Sequence, residues 1–302
     1  MKPTSDSGSL RIAVIGAGSW GTALANLLAG KGYRVQHWVF EAEVRDQILN
    51  HRENQVFLPG VTLSENLTPS NDLGAVVAGK DLLLVVVPSH VMRAVSQDMA
   101  AAISGAPVVV SASKGIENVT HLTMSGILRE TLPMIPQSHL AVLSGPSFAR
   151  EVARNVPTAV TLAASDDGVA RLVQAAFATP SFRVYTSRDL IGVELGGAVK
   201  NVIAIAAGIC DGLGYGDNTK GALITRGLAE MTRLGSALGA RPETFAGLSG
   251  MGDLIVTCTS RHSRNRSVGE RLGRGESMQA ILDSMQQVAE GVWNCAAARS
   301  LA

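Results

Sequence analysis

The chain has 302 residues, which is long enough to bury two hydrophobic cores. With 46% hydrophobic and 17% charged residues and few aromatic residues, its composition is typical of a soluble α/β protein. Its net charge of +1 argues against nucleic acid as the main partner and requires any anion site to be built locally from a few residues.

The cysteine pattern and the first residues predict a cytoplasmic protein. Cys210, Cys258 and Cys295 lie far apart and lack C-x-x-C spacing, which predicts a reducing compartment, no disulfide framework and no metal site. Residues 1–10 are polar and contain no apolar segment of a signal peptide, which argues against secretion. The apolar run Val193–Cys210 contains charged residues and many glycines, so we expect a buried helix and no membrane span.

The N-terminal region has the glycine spacing of a dinucleotide-binding turn. The apolar run Leu10–Ile15 predicts a strand, and Thr22–Ala29 predicts a helix directly after the turn. In the G-x-G-x-x-G motif between them, Gly16 permits the tight turn, Gly18 the approach of a pyrophosphate and Gly21 close helix packing. The free N–H groups and positive dipole end of such a helix favour phosphate. An ordinary glycine-rich loop is the alternative, but the position between a strand and a helix favours the dinucleotide site.

The residue that would select between NAD and NADP is ambiguous. A second strand is predicted over Tyr33–Trp38, after which an acidic residue typically binds the ribose hydroxyls and a basic residue accommodates the 2′-phosphate. Glu41 lies at about the expected distance, but it is equally suited to the start of the next helix, where a carboxylate complements the dipole. The predicted cofactor is therefore NAD or NADP, with the preference open.

Three continuous apolar runs predict strands that are buried on both faces of a parallel sheet. Each run is followed by a polar or glycine-rich loop, which is where doubly wound sheets bind ligands. Lys114, in the second loop, is one of few lysines, and it is either a group that orients a carbonyl or phosphate or an exposed loop lysine. The runs are Asp81–Val87, Pro107–Ser111 and Leu140–Leu143, and the loops are Pro88–His90, Ser113–Gly115 and Ser144–Ala149.

The alternation of strands and helices continues through two more predicted strands. These are Pro157–Ala164 and Phe182–Thr186, with a helix predicted over Asp166–Ala178 between them. After them the pattern is helical throughout. The fold class is therefore α/β, with a Rossmann-like doubly wound sheet in a dinucleotide-binding domain (1–188), followed by an all-helical substrate-binding domain (189–302).

The helical part begins with a lysine in apolar surroundings. The segment Gly192–Gly208 is rich in small residues, and Lys200 lies near its middle. Loss of hydration there would favour the neutral amine and move its pKa toward the working pH of an acid–base catalyst. The alternative is a core helix whose lysine extends to solvent, and the segment alone leaves both interpretations open.

Two later segments carry further candidates. After a helix predicted over Thr219–Leu238, the glycines of Phe245–Leu254 predict a loop that brings Asp253 close to other backbone. The segment Cys258–Arg266 holds three arginines and several hydroxyl or amide donors, which suit a phosphate or a carboxylate. A solvated basic turn is the alternative interpretation of this segment.

Nine short segments of the chain occur in an order that is specific to one enzyme family. They are Gly16–Leu24, Val87–His90, Ser113–Gly115, Ser144–Ala149, Gly192–Asn201, Ile224–Leu228, Gly252–Leu254, Ser263–Arg266 and Val288–Gly291. In these segments the chain resembles the bacterial type of the NAD(P)-dependent glycerol-3-phosphate dehydrogenase family. The resemblance covers almost all of the sequence.

The resemblance implies reversible hydride transfer between a nicotinamide and dihydroxyacetone phosphate, giving sn-glycerol 3-phosphate for phospholipid synthesis. It implies that Lys200 is the catalytic proton donor and acceptor. The implied substrate contacts are Lys114, Gly145, Ser147, Lys200, Asp253, Ser263, Arg264 and Asn265. With the motif glycines Gly16, Gly18 and Gly21, the implied cofactor contacts are Ser19, Trp20, Phe40, Lys114, Ala149, Arg264, Val288 and Glu290. We also expect a homodimer.

Two departures from the family pattern bear on these expectations. Phe40 stands where relatives often have a basic or imidazole side chain, which removes the usual basis for a preference for NADP. The chain ends at Ala302, where relatives continue through further helices, so we expect the second domain to lack part of its usual packing.

Two other functions compete with this interpretation. A β-hydroxyacid or 2-ketoacid reductase has a similar two-domain plan, but hydroxyacid dehydrogenases of that kind tend to show G-x-x-x-K-x-x-x-N. Here Gly196 and Lys200 fit that pattern, whereas position 204 is Ala204. A dinucleotide-binding sensor without turnover is the second alternative, and the presence of Lys200, Lys114 and Arg264 argues against it.

Overall fold

The computed structural model describes residues 10–285 and 288–301, and predictions for residues 1–9 lie outside this range. Its sheet has eight strands in the order β3-β2-β1-β4-β5-β6-β7-β8. Seven of the eight were predicted from their sequences, and the predicted Rossmann-like α/β fold is confirmed. The strands are β1 Ile12–Ile15, β2 Val35–Trp38, β3 Leu67–Ser70, β4 Leu82–Val85, β5 Val108–Ser111, β6 Leu140–Ser144, β7 Thr158–Ala164 and β8 Phe182–Ser187.

Helices cover both faces of the sheet, as the continuous apolar runs of its strands require. Alternate residues of β1 enter different cores, because Ile12 and Val14 pack into one hydrophobic cluster while Ala13 and Ile15 pack into another. The helices of this part are α1 Ser19–Gly30, α2 Ala42–His51, α3 Leu73–Val77, α4 Met92–Ala100, α5 Met124–Thr131, α6 Ala149–Ala153 and α7 Asp167–Phe177.

The last two strands run opposite to the first six. β1 to β6 are parallel to their neighbours, whereas β7 is antiparallel to β6, and β8 is parallel to β7. To run parallel to β6, the next strand would need a connection long enough to return the chain to the end of the sheet where β6 begins. Between β6 and β7 the only regular element is the five-residue α6, which is about 7 Å long, so the chain turns back directly.

The sequence analysis missed one strand, β3. Its residues read Leu-Thr-Pro-Ser, which lack the apolar run that marks the other strands. The strand lies at one edge of the sheet, where the missing N–H of Pro69 does not disrupt a ladder on both sides. An edge strand is therefore the one position in which such a sequence can pair.

The second half of the described chain is helical and is organised around one long helix, α8. This helix is long and apolar enough to cross a membrane by composition, but 67% of its most apolar window is buried inside the protein. Helices α9, α11, α12 and α14 all pack against it, which makes it a core helix. The helices are α8 Leu190–Gly212, α9 Asp217–Ala237, α10 Pro242–Phe245, α11 Asp253–Thr259, α12 Arg264–Gly273, α13 Met278–Asp283 and α14 Glu290–Leu301.

The prediction of a loop over Phe245–Leu254 is wrong. A π-helical turn over Leu248–Gly252 leads directly into α11, and Asp253 is the first residue of that helix. The glycines of this segment serve close packing, since a Cβ on Gly250 would lie 2.1 Å from the carbonyl oxygen of Phe245. Compact helical turns need small residues for the same steric reason that loops do.

Candidate active site

Loops from neighbouring strands meet in a row at the carboxyl edge of the sheet. β1, β4, β5 and β6 are adjacent, so the segments that follow them begin side by side. A Cβ on Gly16 would lie 2.4 Å from the carbonyl oxygen of Val86, which follows β4. A Cβ on Gly115, after β5, would lie 2.3 Å from the Cβ of Ser89. The glycine turn, the Ser89 loop and the Lys114 loop are therefore in direct contact.

The turn after β1 fits the pyrophosphate of a dinucleotide. Gly16 has a φ of +111°, and a Cβ on Gly21 would lie 2.0 Å from the Gly16 oxygen, so both positions require glycine. At Gly18, in contrast, no heavy atom lies within 4 Å of the place of a Cβ, and the backbone there is open. α1 begins at Ser19, and the first N–H groups of a helix have no acceptor within it. The open backbone at Gly18 therefore lies directly before the free N–H donors at the start of α1.

His37 supports this turn from β2, where its side chain is fully buried. Burial lowers its pKa to about 4, so the ring is neutral, and its Nε2 donates to the carbonyl oxygen of Gly16 at 3.0 Å. The Gly16 N–H donates in turn to the carbonyl oxygen of Trp38 at 3.1 Å. Both bonds hold Gly16 against β2, so His37 positions the turn.

A second part of the site joins the loop after β4 to the start of α14. The Glu290 carboxylate accepts from the Ser89 hydroxyl at 2.5 Å and from the Ser89 N–H at 3.3 Å. Burial raises the pKa of Glu290, while the Ser89 bonds and the charge of Arg264 oppose that shift. Arg264 donates to the carbonyl oxygen of Val288 at 2.8 Å, yet its side chain stays exposed. The predicted contacts Arg264, Val288 and Glu290 therefore lie together, close to Ser89.

The centre of the site is a carboxylate that binds two ammonium groups. Asp253 accepts from Lys114 at 2.7 Å through one oxygen and from Lys200 through the other. Lys114 also donates to the carbonyl oxygen of Gly145 at 3.1 Å, and Lys200 donates to the Thr257 hydroxyl at 3.0 Å. The loops after β5 and β6 are thereby joined to α8 and α11 by charged hydrogen bonds.

Lys200 does not extend to solvent. The residue is only 5% exposed, and its surroundings lower the pKa of the amine to about 7. Burial is the main cause and the charge of Lys114 adds to it, whereas Asp253 acts in the opposite direction. An amine with this pKa is present in both protonation states near neutral pH, which is the property that proton transfer requires.

A hydrogen-bonded amide pair lies beside the lysines, between α8 and α12. The buried Asn265 donates through Nδ2 to Asn201 Oδ1 at 2.9 Å, and its Oδ1 accepts from the N–H of Gly291 at 2.9 Å. An amide nitrogen carries two hydrogens, so Asn265 retains one donor for a ligand. Asn201 donates to the carbonyl oxygen of Gly197 at 3.4 Å, and a Cβ on Gly197 would lie 3.4 Å from the Lys114 side chain, which places this pair next to the site.

The three arginines of the segment Cys258–Arg266 do not form one cluster. Arg266 binds Asp211 at 2.6 Å and Glu270 at 3.4 Å, Arg261 is exposed, and Arg264 alone extends toward Glu290. Successive helical residues are rotated by about 100°, so Arg264 and Arg266 leave α12 in roughly opposite directions. Ser263 caps this helix by accepting from the N–H of Arg266 at 3.2 Å. Of the three arginines only Arg264 therefore extends toward the site, and the phosphate role of this segment stays a prediction.

The loop after β6 is shaped by a positive φ at Gly145 and by hydrogen bonds to the Gly145 carbonyl oxygen. Gly145 has a φ of +142°, and a Cβ there would lie 3.0 Å from the Cα of Val160. Its carbonyl oxygen accepts from Lys114 and from the Ser147 hydroxyl at 2.9 Å. Ala149 is the first residue of α6. Gly145 and Ser147 thus adjoin Lys114, and their contacts with the substrate stay predictions.

Two predicted aromatic contacts lie at the periphery of the site. Phe40 follows β2 and is 76% exposed, with its ring edge against Trp38 at a centroid distance of 6.0 Å. Trp20, the second residue of α1, packs its ring toward Phe182 at 6.4 Å. Roles for these two residues in cofactor binding stay predictions.

Some residues of the site were not selected from the sequence. Ser89, Asn201 and Thr257 were read only as parts of motifs or not at all, and His37 was taken as an ordinary strand residue. Thr257 could have been found from its spacing, because it lies one helical turn after Asp253 and accepts a hydrogen bond from Lys200 on the same helix face. His37 carries no comparable sequence signal.

The chain matches two family models that together span most of its length. The model described as the N-terminus of NAD-dependent glycerol-3-phosphate dehydrogenase matches residues 11–170, and the model of the C-terminus matches residues 189–302. The chain belongs to this family. Glycerol-3-phosphate dehydrogenase [NAD(P)+] of Geobacter sp. strain M21 is 58% identical over 97% of this chain and 87% of the relative. The enzyme of the same name from Syntrophotalea carbinolica is 54% identical over 97% and 88%.

Solved structures separate this family from the competing reductase. The crystal structure of glycerol-3-phosphate dehydrogenase from Coxiella burnetii is 41% identical, with a TM-score of 0.93 over 97% of this chain and 89% of that chain. A ketopantoate reductase from Ralstonia eutropha JMP134 is 18% identical with a TM-score of 0.60 over 97% and 98%. The latter shares the fold alone, so the resemblance found in the sequence is confirmed.

Proposed function

We propose that the protein is a glycerol-3-phosphate dehydrogenase that transfers a hydride reversibly between NADH or NADPH and dihydroxyacetone phosphate. The observation that carries this proposal is the carboxylate of Asp253 with the ammonium groups of Lys114 and Lys200, next to loops that extend to the glycine turn. The product, sn-glycerol 3-phosphate, is a precursor for phospholipid synthesis.

Lys200 is the proton donor of the proposed reduction. A bound nicotinamide supplies the hydride. As the ketone carbon is reduced, negative charge develops on its oxygen, and the Lys200 ammonium stabilises this charge and then donates its proton. In the oxidation of glycerol 3-phosphate the neutral amine accepts the hydroxyl proton. A pKa of about 7 makes both forms of Lys200 available near neutral pH.

Lys114 and Asp253 set the charge and position of Lys200. The positive charge of Lys114 favours loss of the Lys200 proton, and it also favours an electron-rich oxygen placed between the two amines. Asp253 holds both ammonium groups and keeps them from separating. Thr257 accepts a second hydrogen bond from Lys200, which fixes the direction of the one remaining N–H bond of the ammonium group.

The phosphate of the substrate would be held by Arg264 and Asn265. Arg264 is exposed and offers a fork of N–H donors, of which only Nη1 donates to Val288 in the described part of the chain. Asn265 has a second amide hydrogen beside the lysine centre. Binding energy from the phosphate fixes the carbonyl at Lys200, and this positioning accelerates the reaction.

Comparison of two ketones tests this function. Purified protein should oxidise NADH or NADPH rapidly with dihydroxyacetone phosphate and only slowly with dihydroxyacetone, because the latter has no phosphate for Arg264. Arg264→Gln should reduce the preference for the phosphorylated ketone, and pyruvate serves as the substrate of the competing 2-ketoacid reductase. Equal rates with both dihydroxyacetones, or a faster reaction with pyruvate, would refute the proposal.

We further propose that the protein acts in the cytoplasm as a homodimer with a domain boundary at residue 189. Free cysteines at positions 210, 258 and 295 suit a reducing compartment. The boundary is supported by the end of β8 at Ser187 and the start of α8 at Leu190, where the helical pattern begins. Light scattering of the purified protein measures the mass of the assembly directly.

A further inference from the structure

An open groove of about 450 Å³ lies between α7 and the end of β8, and its lining contains no residue of the proposed active site. One wall is a face of α7, and the other is the end of β8 with the residue before α10. The lining residues are Ala164, Asp167, Ala170, Arg171, Gln174, Thr186, Ser187, Arg188 and Arg241.

Three arginines from three separate segments enter this groove against a single carboxylate. Arg171 comes from α7, Arg188 follows β8, and Arg241 precedes α10. Arg188 forms an ion pair with Asp167 at 2.5 Å, but both side chains are more than half exposed, and such pairs contribute about 0–1 kcal/mol. Within residues 10–285 and 288–301, neither Arg171 nor Arg241 has an ion-pair partner.

Such an arrangement suits a ligand with more than one phosphate group. The lining residues carry three positive charges and one negative charge, so the groove has a local excess of positive charge, although the net charge of the whole chain is only +1. Guanidinium forks match phosphate oxygens in pairs, and the Thr186 and Ser187 hydroxyls at the same wall are further donors. We propose that this groove binds a small molecule that carries two phosphate groups and thereby regulates the enzyme.

The regulatory role is proposed because a groove residue, Arg241, is hydrogen-bonded to the residue that caps α8. The N–H of Arg241 donates to Asp189 at 2.9 Å, and Asp189 also accepts from Thr244 at 2.6 Å. The other oxygen of Asp189 accepts from Gly192 at 2.9 Å and so caps α8, the helix that carries Lys200. A ligand that joins Arg241 to Arg171 connects the start of α8 to α7, which packs against β7 and β8, and so holds the start of α8 against this part of the sheet.

Binding of inorganic pyrophosphate, measured by calorimetry at low ionic strength with saturating NADH present to occupy the glycine turn, tests this site without any enzyme assay. Removal of two charge-assisted contacts in the variant Arg171→Gln/Arg241→Gln should weaken the affinity about tenfold or more. The matched control is Arg34→Gln, an exposed arginine outside the groove, which should leave the affinity unchanged. Arg264→Gln should also retain this binding, which separates the groove from the proposed substrate site.

Kinetics at saturating substrate then test regulation. Pyrophosphate should change kcat of the wild-type protein, and this change should disappear in Arg171→Gln/Arg241→Gln, whose kcat without pyrophosphate equals that of the wild type. Pyrophosphate affinity that is equal in wild type and the double variant would overturn the site. Binding without any effect on kcat would overturn its regulatory role. Failure of the proposed function would instead appear as a lack of turnover with the groove still able to bind.

Discussion

At the scale of single residues, the properties of the site depend on how Asp253 divides its charge. Each of its oxygens accepts from a different ammonium group, so one negative charge faces two positive charges in a mostly buried space. The excess positive charge and the loss of hydration lower the pKa of Lys200 to about 7. Asp253 limits this decrease and keeps the proton donor available.

The first residue-scale prediction concerns the pH dependence of ketone reduction. Since Lys200 must be protonated to donate, kcat/KM should be constant below about pH 7 and fall as the pH rises through the Lys200 pKa. The oxidation of glycerol 3-phosphate needs the neutral amine and should show the opposite trend. Asp253→Asn removes the charge that raises this pKa, so the decrease in reduction should begin at a lower pH.

The measurement is kcat/KM across the pH range in both directions for wild type and Asp253→Asn. At pH values above the wild-type Lys200 pKa, reduction by the variant should fall about tenfold for each unit by which its Lys200 pKa is lower, because one unit of pKa then corresponds to a tenfold change in protonation. A pH profile identical to that of the wild type would show that Asp253 does not influence the proton donor.

The sequence indicates a role for some residues of the Lys114–Asp253–Lys200 group more clearly than for others. Lys200 and Lys114 are conspicuous because lysines are few and both stand in glycine-rich or apolar segments. Asp253 binds groups 53 and 139 residues away, and the sequence predicted only that it lies near other backbone. Pairing over such distances depends on how the helices pack, which local patterns do not encode. The pairing of Arg266 with Asp211 is hidden from the sequence for a related reason, since Asp211 lies on another helix.

At the scale of elements, the contact between α8 and α12 depends on glycines in both helices. A Cβ on Gly269 would lie 1.9 Å from the carbonyl oxygen of Ile205, and one on Gly208 would lie 2.0 Å from that of Arg266. The two backbones therefore touch, and this contact sets the position of Asn265 relative to Lys200. Small residues permit such close helix packing, which larger side chains would prevent.

Substitution of one of these glycines should destabilise the protein through the helix contact. Gly269→Ala should lower the free energy of unfolding by about 1–3 kcal/mol, the usual cost of overpacking. Gly221→Ala is the matched control, because it lies within α9 and no heavy atom is within 4 Å of its Cβ position. The control should be neutral or more stable by up to about 1 kcal/mol, since alanine favours helices. Urea unfolding measures both, and equal stabilities would contradict the packing argument.

The glycine turn permits a second test at this scale, in which stability and cofactor binding are separated. Gly18→Ala should leave unfolding unchanged, because its Cβ position is open, but should weaken NADH binding about tenfold, or about 1.4 kcal/mol. Gly16→Ala should instead destabilise the fold by about 1–3 kcal/mol, since its φ of +111° strains alanine. Fluorescence titration with NADH and urea unfolding distinguish the two effects. Normal NADH affinity in Gly18→Ala would place the pyrophosphate elsewhere.

Strands were predictable from the sequence where helices bury both faces of the sheet. Strands such as Leu82–Val85 are continuous apolar runs because helices cover both faces of the sheet, and this pattern is visible in the sequence. β3 has only one neighbouring strand and no such run, so it escaped notice. Glycines in Phe245–Leu254 suggested a loop, although here they serve close backbone packing within helical turns.

At the scale of the whole molecule, the proposed function requires that the sheet and the helices contribute to one site. The sheet contributes the glycine turn, Ser89 and Lys114, and the helices contribute Lys200, Asp253 and Glu290. The contacts that join them at the site include the one from Lys114 to Asp253 and the one from Ser89 to Glu290. Fold and family were evident from the order of motifs along the chain, whereas these cross-contacts required coordinates.

Turnover of Lys200→Met, measured alongside its affinity for NADH, tests the central claim most directly. Methionine has a similar length but no proton to donate, so kcat with dihydroxyacetone phosphate should fall roughly 10²- to 10⁴-fold. NADH affinity and the circular dichroism spectrum should stay close to those of the wild type, because the cofactor turn lies on β1 and α1. A variant that binds NADH normally and turns over at the wild-type rate would contradict the assignment of Lys200 as proton donor.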